Sequence, residues 1–318
     1  MKFKVIVLLF LSVAGLLTVK AQNSKPQRFI AITIDDLPVV STRKDIAVRR
    51  EITTRLLKHL TDAKVPAIGF VNEIQLFPNG KRDETQVDLL RQWLNAGLEL
   101  GNHTFSHLGL DKNSLKKYEA EILRGEIVTK ELLQAKGKTI RYFRHPYLIT
   151  GEKLSTKRKL AEFLKQHNYT IAPVTFDDDD YLFARASDVA ATRGDEEIKR
   201  RVGAAYVPYM ESKADYWERQ SVKLFGREIK QILLIHANSI NAEHLGDLIQ
   251  MFKKRGYQFI TLNEALQDEA YKLPDNFTDK YGISWLHRWA FDKGVGYALP
   301  NEPQTPDFVR DEVERESK

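Results

Sequence analysis

The feature that most constrains the fold of this chain is a regular alternation of short apolar runs with longer amphipathic stretches. The apolar runs have the length and the isoleucine, valine and phenylalanine content of buried strands. The seven predicted strands are residues 29–34, 65–71, 98–101, 139–143, 169–175, 231–235 and 258–262. The predicted helices are residues 45–60, 83–96, 115–134, 154–167 and 242–254. Because strands that alternate with helices form a largely parallel sheet, we expect an α/β fold in one domain, a distorted or incomplete (β/α) barrel of about seven mostly parallel strands.

Two regions depart from this alternation. Residues 182–228 are rich in charge and tyrosine, and we predict a helical insertion there, inside a barrel domain that spans residues 22–270. Residues 271–318 form an aromatic-rich C-terminal extension with a polar tail, and we expect the last dozen residues to fray. Aromatic residues of the two regions are expected in the core, with a sugar-binding groove as the alternative: Tyr206, Tyr209, Tyr216, Trp217, Trp285 and Trp289.

The N-terminal segment has the pattern of a secretory signal peptide. Residues 1–4 are basic, residues 5–19 are almost wholly apolar, and Ala21 offers a small residue at a cleavage point. The apolar run is short for a membrane span, although an uncleaved anchor is the alternative. We therefore expect residues 1–21 to be a signal peptide and the protein to be exported, periplasmic or secreted, without stable membrane insertion after cleavage.

Composition narrows the possible partners. Loss of Lys2, Lys4 and Lys20 with the signal peptide leaves 46 basic residues against 43 acidic ones, interspersed along the chain, so nucleic-acid binding is poorly supported. The chain contains no cysteine, which excludes disulfides, thiolate metal sites and cysteine nucleophiles. The sequence does not indicate an oligomeric state.

Polar clusters follow five of the predicted strands at the points where the strands end. They are Asp35-Asp36, His103 to His107, Arg144 to Tyr147, Asp177 to Tyr181, and His236. Taken alone, Asp35-Asp36-Leu37-Pro38 could be only a turn, since aspartate and proline both favour turns. In barrels of parallel strands, however, groups at the carboxyl ends converge on one site. We therefore expect these five clusters to meet.

The histidine and aspartate clusters together suggest a mononuclear metal site. His103 and His107 stand at i and i+4, so their imidazoles could reach one ion if the segment turns helically, with one carboxylate as third ligand. A histidine pair on a helix surface or in the core is the alternative. Nitrogen and oxygen ligands suit Zn²⁺ best, and Co²⁺, Ni²⁺, Mn²⁺ or Fe²⁺ would also fit.

In their order along the chain, these residues resemble the motifs of a known family. The motifs are Thr33-Ile-Asp35-Asp36, His103-Thr-x-Ser-His107, Arg144-x-Pro146-Tyr147, Asp177-x-x-Asp180-Tyr181 and Leu234-x-His236. This order is similar to that of the polysaccharide deacetylases, the metal-dependent carbohydrate esterases of family 4, which are built on a distorted (β/α) barrel. The resemblance covers roughly residues 29–266.

The resemblance implies a role for each residue around the metal. Asp36, His103 and His107 would hold one divalent ion, and Asp35 would be the base that takes a proton from a metal-activated water. Arg144 would pair with Asp35, keeping the pKa of its carboxyl low and its carboxylate aimed.

The resemblance also implies roles on the leaving-group and substrate sides. The backbone N–H of Tyr147 would hold the oxyanion, and His236 would be the general acid, oriented and kept charged by Asp180. The acidic run 177–180 leaves this partner of His236 uncertain by one residue. The family usually has tryptophan where Tyr181 stands, so Tyr181, with Tyr147, would line the substrate groove.

The sequence thus predicts an exported, metal-dependent hydrolase that removes N- or O-acetyl groups from a saccharide of the chitin, peptidoglycan or xylan type. One alternative is an amidase that acts on a small linear or cyclic amide at the same metal site. Another is a carbohydrate-binding protein with an inert site. The remaining histidines are expected to be structural: His59, His145, His167, His244 and His287.

Overall fold

The computed structural model describes residues 27–295 and 300–315 of the chain. The predicted signal peptide over residues 1–21 lies outside these ranges and stays a prediction. Across the described residues, no helix combines the length and the apolar character that crossing a bilayer requires.

One curled sheet forms the centre of the fold, and all its strand ladders are parallel within the described residues. Its strands are β1 (Arg28–Leu37), β2 (Ala67–Val71), β3 (Glu99–Asn102), β4 (Tyr142–Phe143), β5 (Thr170–Ile171), β6 (Gln231–His236) and β7 (Tyr257–Phe259). Their spatial order is β5-β4-β3-β2-β1-β6, with β7 paired to the start of β1. The prediction of an incomplete (β/α) barrel is therefore confirmed.

β1 is buried on both faces, which explains its nearly continuous apolar sequence. Ile30, Ile32 and Ile34 join the large core cluster beneath the helices. The alternate residue Ala31 joins a smaller cluster that includes Phe70 of β2. Since β2 and β6 pair with β1 on its two edges, β1 delivers its last residues to the middle of the sheet rim.

Helices connect these strands and follow the last of them in the described residues. They are α1 (Ile46–Ala63), α2 (Glu84–Asn95), α3 (Leu115–Arg124), α4 (Ile127–Gln134), α5 (Leu154–Gln166), α6 (Asp180–Arg193), α7 (Glu196–Phe225), α8 (Ser239–Lys254), α9 (Leu262–Ala265), α10 (Trp285–Asp292) and α11 (Asp307–Glu314). The prediction of one helix over residues 115–134 is wrong, because Gly125 separates α3 from α4. A Cβ at Gly125 would lie 2.4 Å from the backbone nitrogen of Phe105, so the loop after β3 passes close against it.

The insertion and the C-terminal extension are both packed parts of the fold. The region 182–228 forms most of α6 and α7, which pack on each other, and α10 packs on α7. The expectation that the last dozen residues fray is wrong for residues 307–314, which form α11 on α6 with Val309 fully buried. The expectation that the aromatic residues of these regions lie in the core is confirmed for Tyr206, Tyr209, Tyr216, Trp217, Trp285 and Trp289.

Candidate active site

A bulge at the end of β1 presents Asp35 and Asp36 at the rim of the sheet. Ile34 pairs with Gly69 of β2 and Leu37 pairs with Val71, so two residues of β1 stand opposite one residue of β2. Adjacent residues of a regular strand point to opposite faces. The bulge and the left-handed backbone of Asp36, with φ of 64°, change this direction and bring both carboxylates to the same site.

The segment that carries His103 and His107 is an irregular loop after β3 and does not make the helical turn that was the condition for an i, i+4 ligand pair. Thr104 and His107 have left-handed backbones, with φ of 64° and 55°. The side-chain oxygen of Asn102 accepts a hydrogen bond of 2.7 Å from the Thr104 N–H. On the far side of the loop, the Glu121 carboxylate accepts from the Ser106 N–H at 2.9 Å. These contacts hold the two imidazoles in place without helical geometry.

Asp36, His103 and His107 form one cluster whose ligand atoms all lie within 4.8 Å of one another. Oδ1 of Asp36 is 3.5 Å from Nε2 of His107 and 3.7 Å from Nε2 of His103. A tetrahedral ion bound at about 2.1 Å holds its ligand atoms roughly 3.4 Å apart. The spacing of the cluster therefore fits one small divalent ion.

The chemistry of these three side chains also fits a cation. Nδ1 of His103 donates a hydrogen bond of 2.8 Å to the carbonyl of Arg144, so Nε2 presents its lone pair to the cluster. Burial, followed by the charges of His107 and Arg144, holds the pKa of His103 well below its ordinary value, so the imidazole is neutral. Oδ1 of Asp36 is buried without a hydrogen-bond partner among the described residues. A divalent ion would satisfy that atom.

Asp35 lies beside the cluster, and the guanidinium of Arg144 faces it. The two side chains are almost fully buried, with 3.6 Å between Nη1 of Arg144 and Oδ2 of Asp35. Burial is the largest influence on this carboxyl and outweighs Arg144, so the pKa of Asp35 is raised to about 6. The expectation that Arg144 keeps this pKa low is therefore wrong, because the 3.6 Å ion pair does not repay the desolvation of the carboxylate.

On the opposite side of Asp35, β6 ends at His236, which pairs directly with Asp35 in the parallel ladder. Nδ1 of His236 lies 2.6 Å from Oδ1 of Asp180, so Asp180 is the acidic residue that the sequence could place only to within one position. Burial lowers the pKa of His236, but the charge and hydrogen bond of Asp180 outweigh it and raise that pKa to about 10. His236 is therefore an imidazolium that presents Nε2–H.

Arg144 and Asp180 are held in position by three residues to which the motifs assign no role: Thr33, Asn238 and Asn241. Thr33 accepts a hydrogen bond of 2.8 Å from Nη2 of Arg144 and donates one of 2.6 Å to the carbonyl of Leu233. The amides of Asn238 and Asn241 donate to Oδ2 of Asp180 at 2.9 and 2.5 Å. Asn238 is recognisable from sequence as the N-cap of α8, but its bond to Asp180 depends on the fold.

Two exposed tyrosines flank the site. The ring of Tyr147, 60% exposed, lies 4.3 Å from that of His107, and its backbone is left-handed with φ of 55°. The ring of Tyr181, 50% exposed, lies 6.2 Å from that of His236. His145, between Arg144 and Pro146, is instead buried against Phe143. The five predicted clusters are thus together at one end of the sheet.

Part of the chain matches a known protein family. A family model described as polysaccharide deacetylase matches residues 22–172, a range that includes the metal cluster, Asp35, Arg144 and Tyr147. Similar solved structures include a peptidoglycan N-acetylglucosamine deacetylase, with 21% identity over 80% of this chain and 91% of its own and a TM-score of 0.49. Peptidoglycan deacetylase PdaC from Bacillus subtilis has 20% identity over 75% of this chain and 91% of its own, with a TM-score of 0.47.

A third similar structure is a mutant of a CE4 family pseudoenzyme with restored enzymatic activity. It has 16% identity over 76% of this chain and 68% of its own, with a TM-score of 0.49. The chain carries a polysaccharide deacetylase domain over residues 22–172, and proteins of that family hydrolyse amide or ester bonds of acetylated saccharides.

Proposed function

We propose that the protein is a metal-dependent deacetylase that hydrolyses an N- or O-acetyl group on a saccharide, giving acetate and a free amine or hydroxyl. This proposal is supported above all by the side chains that lie next to one another at the carboxyl end of the sheet. A cluster suited to one divalent ion (Asp36, His103 and His107) lies beside a buried carboxylate, Asp35, and a protonated imidazole, His236. This arrangement provides for a cation, a base and an acid in one site.

Asp36, His103 and His107 would hold the ion, with Zn²⁺ best suited to two imidazoles and one carboxylate. When bound, such an ion acts as a Lewis acid that polarises the acetyl carbonyl and makes water more acidic. Arg144 and Thr33 fix Asp35 next to this position through the 3.6 Å ion pair and the 2.8 Å hydrogen bond.

Asp35 is suited to act as the general base. Its carboxyl has a pKa raised to about 6, so it is ionised at neutral pH yet more basic than an ordinary aspartate. General bases are most effective when their pKa lies near the operating pH. Asp35 would take a proton from the attacking water.

His236 is suited to act as the general acid. Because Nδ1 is bonded to Asp180, the proton available to the leaving group is the one on Nε2. Protonation of the departing nitrogen or oxygen by His236 would complete the hydrolysis. We infer that the backbone N–H of Tyr147, next to His107, stabilises the negative charge that develops on the acetyl oxygen.

The pH dependence of this acid gives one prediction. Activity that needs protonated His236 is retained below its pKa of about 10 and lost as the pH rises through that value. Asp180→Asn removes the charge that raises this pKa and leaves the burial that lowers it, so the basic limb of kcat/KM should move to lower pH. Acetate release measured across pH tests this, and an unmoved basic limb in Asp180→Asn would contradict the acid role of His236.

The direct test of the function is acetate release from acetylated chitin oligomers, peptidoglycan and xylan, with metal analysis of the same preparation. We expect activity on at least one saccharide, loss of activity after chelation, and recovery when Zn²⁺ is added back. Full turnover by metal-free protein would overturn the mechanism. Turnover of small linear or cyclic amides alone would establish the amidase alternative. Saccharide binding without turnover would establish a carbohydrate-binding protein with an inert site.

A further inference from the structure

A cavity of about 430 Å³ lies between α5 and the C-terminal extension, and its lining residues have no part in the proposed mechanism. α5 and the short strand β5 contribute one side, and residues 271–276 with α10 contribute the other. Arg158 and Ala161 of α5 line the cavity and are exposed, so it reaches the surface of the protein. Its volume lies within the range of small-molecule binding sites.

Most of the wall of this cavity is apolar. The side chains that supply the apolar surface include Leu160, Ile171, Leu266, Leu273, Trp285 and Trp289. Such a wall favours a ligand with an apolar body, because the burial of apolar surface is the main favourable contribution to association.

The polar part of the wall contains Lys157 and Asp275. Nζ of Lys157 lies 2.6 Å from Oδ1 of Asp275 and donates a hydrogen bond of 2.8 Å to the carbonyl of Phe277. Nη1 of Arg288 lies 2.9 Å from Oδ2 of the same carboxylate. The side chain of Lys157 is 12% exposed and that of Arg288 is 0% exposed. Two largely buried cations therefore share one carboxylate, which leaves an excess of one positive charge.

The pKa shifts in this region have the direction expected for a positive charge that is not fully balanced. Burial lowers the pKa of Lys157 to about 8, because it outweighs the charge and the hydrogen bond of Asp275. Burial also lowers the pKa of Arg288 in spite of Asp275. His145 lines the cavity too, and burial, followed by the charges of Arg288 and Lys157, holds its pKa well below the ordinary value. The region therefore favours a further negative charge.

Two other carboxylates act on these cations, and neither removes the excess. Asp292 acts on Lys157 but is exposed, so solvent and salt screen its charge. Asp177 acts on Arg288 less strongly than Asp275 does. One negative charge on a ligand would therefore balance the two cations.

We propose that this cavity binds an amphipathic monocarboxylate, with its apolar body against the leucine and tryptophan side chains and its carboxylate beside Lys157. Hydrogen bonds between an ammonium and a carboxylate are among the strong ones in proteins, since both groups are charged. The ligand is bound and not transformed. The proposal is independent of the deacetylase function, because the cavity and the metal cluster have no residue in common.

The test is calorimetric titration of the full chain with sodium octanoate, sodium acetate and 1-octanol. Octanoate should bind to one site, roughly tenfold more tightly than acetate, which lacks the apolar body, or 1-octanol, which lacks the charge. Lys157→Met removes the cation and keeps an apolar stem, so it should weaken octanoate binding roughly tenfold and leave 1-octanol binding unchanged. Lys159→Met, on the same helix but outside the cavity, should bind octanoate as the wild type does.

Ala161→Phe places a larger side chain at the exposed mouth of the cavity and leaves Lys157 in place. It should weaken the binding of octanoate and of 1-octanol together, which separates this cavity from a carboxylate bound at the metal cluster. Because Ala161 is exposed, this variant tests the cavity even if Lys157→Met does not fold. Octanoate binding that either folded variant leaves unchanged would overturn the proposal. Equal affinity for octanoate and 1-octanol would also overturn it, as would the absence of saturable octanoate binding by the wild type.

Discussion

Asp36→Asn should release the bound metal and abolish acetate release, whereas Asp35→Asn should abolish acetate release and leave the metal bound. The two residues are adjacent, of the same type and in the same bulge, and each replacement is almost isosteric. Each variant therefore serves as the matched control of the other. Metal content by elemental analysis and acetate release should be measured on the same samples.

The difference follows from what each carboxylate faces. Oδ1 of Asp36 lies within 3.5 to 3.7 Å of both histidine Nε2 atoms, and an amide in its place removes the negative charge that holds a divalent ion. Oδ2 of Asp35 lies 3.6 Å from Arg144, in a position suited to proton transfer. Removal of a general base costs roughly 10²- to 10⁴-fold in rate.

Oδ2 of Asp35 is also 3.6 Å from Nε2 of His103, so the experiment can reverse the assignment. Metal lost from Asp35→Asn and kept by Asp36→Asn would make Asp35 the ligand. Near wild-type acetate release by Asp35→Asn would contradict its role as base. Circular dichroism should show that both variants are folded, since Asp35 is buried and its replacement could disturb Arg144.

Much of this site could be predicted from sequence because parallel strands present their carboxyl ends to one rim. The run predicted at residues 231–235 is β6, Gln231–His236, and the histidine that ends it lies opposite Asp35. A strand buried on both faces has an almost continuous apolar sequence, so the first acid or histidine after the apolar run marks the approach to the rim. In this way Asp35 and His236 could be assigned to the same end of the sheet without knowledge of the fold.

The local geometry could not be predicted, because it depends on backbone conformations that residue type does not determine. Regular alternation would send Asp35 and Asp36 to opposite faces, and only the bulge with left-handed Asp36 brings them together. The loop that carries His103 and His107 depends likewise on Thr104 and on the close approach of Gly125. The i, i+4 spacing pointed to two histidines that the loop does bring together, but the segment between them is not helical.

The pKa of Asp35 shows a second limit of sequence reasoning. The presence of Arg144 suggested a carboxyl of low pKa, whereas burial raises that pKa to about 6. Whether the pKa of Asp35 rises or falls depends on how far the carboxyl is shielded from water and on the 3.6 Å between Asp35 Oδ2 and Arg144 Nη1. Neither quantity can be read from a motif. Contacts of the C-terminal extension cannot be read from the sequence either, since they join distant residues such as Arg288 and Thr150.

Arg288→Met should lower the free energy of unfolding by about 3–5 kcal/mol, the range for breaking a buried ion pair on one side. The Arg288 side chain is fully buried and donates to Thr150 Oγ1 at 3.0 Å, to Asp275 at 2.9 Å and to the carbonyl of Leu148. Its loss leaves these acceptors without their donor in a buried site. Lys157 lies 2.6 Å from Asp275 and compensates part of that charge, but it reaches neither of the other two acceptors in the described contacts.

Urea denaturation of Arg288→Met should be compared with that of Arg55→Met, whose arginine forms an exposed i, i+4 pair with Glu51 and whose loss should cost no more than about 0.5 kcal/mol. The Leu148 carbonyl directly follows Tyr147, so Arg288→Met should also raise KM for saccharides by loosening the loop that carries Tyr147. A loss of stability below about 1 kcal/mol would contradict this account, because a buried guanidinium with four acceptors, the fourth being the carbonyl of Ile283, would then contribute no more than a surface pair.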